Sequence, residues 1–212
     1  NAIGVLRDRA DKYAEGVQRA RKSGCGEKRG AGWSTDSPAF KRGDTFTATA
    51  AGTINGRSNF HICSYGSGAK PIISSNTQIL TGGVSASSGG IKVYDMDLRT
   101  SGSPAVIDAC PNLLVLRCAM DGGQQQIVRS AASAEVVGFA AVDCTFTNPL
   151  TQHIFFTSLQ DTVAHPRLCA LLANIFGGSA TSGEPLVRLF VNKWAIVGNI
   201  FGRVNGGKGQ LT

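Results

Sequence analysis

The chain is poor in the residues that fill ordinary compact cores: among 212 residues there are 2 Met and 2 Trp, and Phe, Trp and Tyr together make up 7%. It has no run of 18 or more apolar residues, so it carries no segment of the kind that spans a membrane as a helix. Position 1 is Asn rather than Met, and no apolar signal core follows, so any export signal is expected to have been removed or left out. Six cysteines (Cys25, Cys63, Cys110, Cys118, Cys144 and Cys169) include no CxxC pair, which argues against a zinc site. Most of them sit inside apolar runs such as LLVLRCAM and RLCALLAN, where a free thiol packs as a small hydrophobe. The net charge of +7 divides into +4 over residues 1–45, from ten Lys or Arg against six Asp or Glu, and +3 over the rest. Such a basic balance could suit an acidic glycan, nucleic acid or anionic lipid, and the lack of interleaved aromatics or a recognisable binding motif argues against nucleic acid.

What the chain does have is 27 Gly and short apolar runs of four to six residues punctuated by Gly, Ser, Asn and Asp. Short buried strands read this way, whereas amphipathic helices show a 3.6-residue period. The chain is therefore expected to be mainly β.

A repeat runs through it. KVYDMDLR, LVLRCAMD, AAVDCTFT, ALLANIFG and AIVGNIFG share an apolar strand, a small or polar turn residue, a spacer and a large apolar residue. The last of these is Leu98, Met120, Phe146, Phe176 and Phe201 in turn, at intervals of 22, 26, 30 and 25 residues. Such a period predicts a solenoid with one coil per copy, five coils being visible, and with length differences absorbed in loops. Two residues before each large apolar position stand Met96, Cys118, Cys144, Asn174 and Asn199. Stacked in register, Asn174 and Asn199 form a structural ladder that satisfies the turn backbone. Cys118 above Cys144 is near enough for a disulfide, although stacked thiols are more often unbonded.

A second strand follows each turn: PAVID, QQIVR, QHIFF, EPLVR and GQLT. These segments predict one column of Val106, Ile127, Ile154, Leu186 and Leu211, with Asp108, Arg129, Phe156 and Arg188 two positions on. No cap follows this last copy, and the coils are expected to continue beyond Thr212. Residues 1–37 form a separate region in this reading. NAIGVLRDRADKYAEGVQRARKSG has Ile3, Val5, Leu6, Ala10, Tyr13, Ala14 and Val17 on one side, which predicts a helix ended by Gly24. Its expected role is to cap the first coil. A loop then leads to the coils at 38–212.

The phrases Phe40-Lys41-Arg42-Gly43-Asp44-Thr45-Phe46 and CSYGSGAKPII, with VGNIF and LLANIF further on, resemble the coils of secreted bacterial proteins of the pectate-lyase-like superfamily. The resemblance covers roughly 38–212. It implies a right-handed parallel β-helix, a secreted or cell-surface location, and a polysaccharide partner. The superfamily includes lyases, hydrolases, tailspikes and adhesins, so fold alone does not choose a reaction.

A lyase needs a base, often Lys or Arg in this superfamily, and a cation or calcium to neutralise the uronate carboxylate. Arg129, Arg188 and Lys193 are the basic candidates, His153 is a possible acid or base, and Asp108 and Gln126 are candidate substrate-binding residues. Against these stand plainer readings: arginines on a solvated strand face, and an edge histidine held within a loop near Asp161 and His165. Calcium is possible by ligand type at Asp95, Asp97 and Asp121, though turn aspartates usually serve the backbone. Asp95 and Asp143 align with each other, but Arg117 intervenes, so no clean carboxylate pair for a hydrolase is evident. Arg42-Gly43-Asp44 reads as a tight turn. Two functions remain open: a lyase acting on acidic polysaccharide, and a non-catalytic glycan-binding or structural rod.

Overall fold

The structure, a computed structural model, describes residues 38–53, 58–81, 89–102, 106–129, 138–156, 167–177, 186–189 and 192–202. The expected N-terminal helix and loop, Asp161, His165 and Leu211 lie outside the described residues.

The chain runs through short strands in sets of three. The first set is β1 (Ala39–Lys41), β2 (Thr45–Ala48) and β3 (Gly52–Thr53), followed by β4 (His61–Tyr65), β5 (Ile72–Ser75) and β6 (Leu80–Thr81). Next come β7 (Lys92–Tyr94), β8 (Asp97–Thr100) and β9 (Ile107–Asp108), then β10 (Leu114–Leu116), β11 (Ala119–Gly122) and β12 (Gln125–Arg129). They are followed by β13 (Ala140–Val142), β14 (Thr145–Thr147) and β15 (Gln152–Phe156). The series ends with β16 (Arg167–Leu172), β17 (Ile175–Phe176), β18 (Val187–Leu189), β19 (Asn192–Val197) and β20 (Ile200–Phe201). Every third strand joins the same sheet: β1-β4-β7-β10-β13-β16-β19, β2-β5-β8-β11-β14-β17-β20, and β3-β6-β9-β12-β15-β18. Every strand pairing is parallel. The protein is an all-β parallel β-solenoid, a β-helix built on a repeat, with no helix among the described residues.

Two lines of left-handed residues turn the chain between sheets. From the first sheet to the second, Asp95, Arg117, Asp143 and Ala173 have φ of 51–54° and Gly198 has φ 68°. One such residue bends the strand and sends the next side chain inward. Hydrogen bonds to the following coil hold these turns: Asp95 N to Leu116 O at 3.1 Å, and Arg117 N, Asp143 N and Ala173 N to Val142 O, Leu172 O and Val197 O, each at 2.9 Å. The second line turns the chain from the third sheet back to the first, at Asn59, Gly90, Asn112, Gly138, Leu168 and Lys193, all with positive φ. The Arg42-Gly43 segment is indeed a turn, with Gly43 at φ 85° and the rings of Phe40 and Phe46 edge-on at 5.0 Å.

Inside the solenoid, like residues stack. Leu98, Met120, Phe146, Phe176 and Phe201 are paired coil to coil, and Phe46 and Ile73 extend the column. Phe146 and Phe176 stack at 4.8 Å, and Phe176 and Phe201 at 5.0 Å. Beside them runs a column of donors. Asn199 Nδ2 gives a hydrogen bond to Leu171 O at 2.8 Å, and Asn174 Nδ2 to Ala141 O at 2.9 Å. One coil further back at each step, the thiols of Cys144 and Cys118 donate to Val115 O and Val93 O, both at 3.5 Å. The four carbonyls are themselves register partners in the first sheet. Cysteine thus makes a weaker version of the asparagine contact. Both thiols are free, and burial pushes that of Cys144 up to about 12.

Candidate functional site

The third sheet carries most of the candidate residues, and its register differs from the one the sequence pattern predicts. Ile107, Ile127, Ile154 and Val187 are partners, whereas Val106 and Leu186 fall level with Gln126 and His153. In PAVID and EPLVR two apolar residues adjoin, and apolarity alone does not say which of them faces the core. The slip of one residue separates the two arginines. Arg188 is level with Phe155, Val128 and Asp108, whereas Arg129 is level with Phe156 and Leu189. Arg129 and Arg188 therefore stand at different positions of the register and do not share a column.

The column of Asp108, Val128, Phe155 and Arg188 faces outward, because its neighbours Ile127, Ile154 and Val187 are fully buried in the core. Arg188 is half-buried, with its guanidinium 5.7 Å from the centre of the Phe155 ring. Asp108, at the other end, is 8% exposed. An aromatic ring beneath a guanidinium attracts it and restricts its orientation, and Phe155 is a member of this pair that the sequence pattern does not single out. The alternation in QHIFF, with Phe156 buried and Phe155 half-exposed, was the available signal.

Gln126 and His153 lie inside the solenoid, both with 0% exposure. His153 Nδ1 is 2.7 Å from Gln126 Oε1, and Gln126 Nε2 donates to Met120 O at 3.1 Å, to Gly122 O at 3.3 Å and to Thr147 O. The imidazole packs beside Phe146 and Phe176, at 5.9 and 5.6 Å. Nε2 lies near the Gly177 backbone without a well-aligned hydrogen bond. Burial pushes its pKa down to about 3, against a smaller upward pull from that backbone. A neutral imidazole enclosed in this way braces the corner between the second and third sheets and reaches no polymer on the surface.

Lys193 is exposed and occupies the left-handed turn column rather than the Arg188 column. The aspartates considered for calcium are engaged elsewhere. Asp95 takes a two-pronged pair from Arg117 at 2.8 and 3.1 Å and has Arg42 at 3.6 Å. Asp97 binds Arg99 at 2.7 and 3.0 Å, and Asp121 accepts from Thr147 and Asn148, both at 2.8 Å. Among the described residues, no three His, Cys, Asp or Glu side chains come together as a metal site. Nor, among them, is any helix long and apolar enough to cross a membrane.

Comparison of the chain with protein-family models, with curated proteins and with solved structures gives no match in any of the three.

Proposed function

We propose that this β-helix binds an acidic, uronate-bearing polysaccharide along the outward face of its third sheet. The observation that carries the reading is the Arg188 guanidinium held over Phe155 on that face. An aromatic ring offers an apolar platform to a sugar, and a pre-oriented guanidinium is suited to the two oxygens of a carboxylate. The net charge of +7 favours approach of a polyanion. We further infer membership of the right-handed, pectate-lyase-like group and a secreted or cell-surface location. Support for this comes from the parallel three-sheet solenoid and from the RGDTF and CSYGSGAKPII phrases at its start.

Binding is favoured over cleavage because the register puts Arg129 and Arg188 in different columns, and His153 is enclosed. The test is titration with a panel of uronate polymers, with and without calcium, while following the absorbance of unsaturated product. Binding by the wild type, weakened about tenfold by Phe155→Ala and by Arg188→Ala, is the expected result. A tenfold loss corresponds to about 1.4 kcal/mol. Binding that neither substitution alters overturns the assignment of the face, and appearance of product that Arg188→Ala abolishes makes the protein a lyase.

A further inference from the structure

Two sequence phrases whose side chains the polysaccharide face does not use, RGDTF and YGSGAK, meet at one corner of the solenoid, between the first sheet and the second. Arg42 N donates to Tyr65 O at 2.9 Å and Gly43 N to Ala69 O at 3.0 Å, which fastens the earlier turn to the loop at 66–70. The guanidinium of Arg42 lies against the same loop, with Nη1 3.4 Å from Gly68 O.

The loop bends at four consecutive residues, 66–69, and closes no turn hydrogen bond of its own. Gly66 and Gly68 have φ of 82° and 110°, while Ser67 and Ala69 keep negative φ. Alternating hand along a bend turns successive N–H groups toward a common side, the backbone pattern of an anion-binding concavity. Among the described residues, no N–H from Ser67 to Lys70 donates a hydrogen bond. Nothing stands within 4 Å of where a Cβ on Gly43, Gly66 or Gly68 would lie, so the space beside the loop is open.

The charge around this corner favours an anion. Lys41, Arg42, Lys70 and Arg117 stand here against Asp44, Asp95 and Asp143. Asp95 is taken up by the two-pronged pair with Arg117 and has Arg42 at 3.6 Å. Lys70, half-buried, stands two residues before Ile72, the register partner of Asp97, and makes no ion pair among the described residues. A lysine that ends a run of free N–H groups adds a point charge where an oxyanion would sit.

We propose that the loop at 66–70, with the guanidinium of Arg42 and the ammonium of Lys70, binds a tetrahedral oxyanion: a phosphate or sulfate group, as the free ion or as the ester of a sugar. Such a group has several acceptor oxygens for the row of N–H donors and the charge to hold both cations. The site lies between the first and second sheets, away from Arg188 and Phe155 in the third, so it stands or falls apart from the polysaccharide reading.

The test follows the amide resonances of the isotope-labelled full-length chain during titration with inorganic phosphate and, separately, inorganic sulfate, with sodium chloride as the control at equal ionic strength. Saturable shifts at Ser67, Gly68, Ala69 and Lys70 are expected with at least one of the two ions, with binding about tenfold weaker in Arg42→Gln and in Lys70→Gln. A glucose phosphate or sulfate ester titrated alongside identifies the source. Tighter binding of the ester points to a sugar, equal binding to the free ion, and both support the site. Shifts that do not saturate, that chloride reproduces, or that persist undiminished in both variants overturn the proposal. Should either variant lose the dispersed spectrum of the folded chain, Ser67→Pro decides. It removes one loop N–H at a residue of negative φ and leaves every charge in place, so binding as tight as that of the wild type overturns the proposal.

Discussion

Gly90 lies directly beneath the side chain of Asn59, one coil away, so that a Cβ on Gly90 would stand 2.8 Å from Asn59 Oδ1. Gly138 stands in the same relation to Asn112, closer still. Both glycines have positive φ, at 67° and 81°. Over the first four places of the turn column asparagine and glycine alternate, and each asparagine side chain fills the space a Cβ on the next glycine would need. Gly138→Ala is expected to lower stability by about 1–3 kcal/mol, through the left-handed backbone and the contact together. In an Asn112→Gly background the same change costs less, since the contact is gone. Equal losses in the two backgrounds, measured by urea unfolding, would show that the contact contributes nothing.

The asparagine column has a graded response to substitution. Asn174, with 0% exposure, accepts from Cys144 N at 2.9 Å and donates to Ala141 O. Asn174→Ala leaves both groups buried without their partner and is expected to cost about 2–4 kcal/mol. Asn174→Cys places a thiol where Cys144 already makes the equivalent bond, so its loss is smaller. Thermal unfolding of the two variants checks the order, and an alanine variant as stable as the cysteine one would count against the shared role of the two residue types.

His153 makes stability depend on pH. Its pKa is about 3 in the folded chain against the ordinary 6.5, so between those values the unfolded chain takes up a proton that the folded chain refuses. Its contribution is complete above about 6.5, is lost progressively as pH falls, and the loss ends below about 3. Between pH 7 and pH 4.5 the wild type is expected to lose about 2–3 kcal/mol more than His153→Leu does. Urea midpoints at the two pH values give the comparison, and parallel losses in both proteins would remove His153 as the cause.

Much of the solenoid was legible because stacking repeats its demands at every coil. Leu98, Met120, Phe146, Phe176 and Phe201 each need to face the interior, and the recurring turn residue before them marks where the first sheet bends into the second. The third sheet was less legible. Its strands begin with adjacent apolar residues, Val106-Ile107 in one coil and Leu186-Val187 in another, and both members of each pair are buried. Hydrophobicity then does not set the register. The left-handed column containing Arg117 and Ala173 was also hidden, because neither residue type announces positive φ.

The sequence by itself determined the repeat, the β character and the interior column of the second sheet, since each follows from spacing along one chain and the alternation of a strand. Only the tertiary structure decided which side chains meet across coils. It put Arg188 over Phe155 rather than level with Arg129, and enclosed His153 with Gln126. It also buried Tyr94 and Leu116 on an outward face. The physical reason is that lateral contacts in a solenoid depend on register between coils of unequal length, and a shift of one residue carries a side chain from the core to the surface.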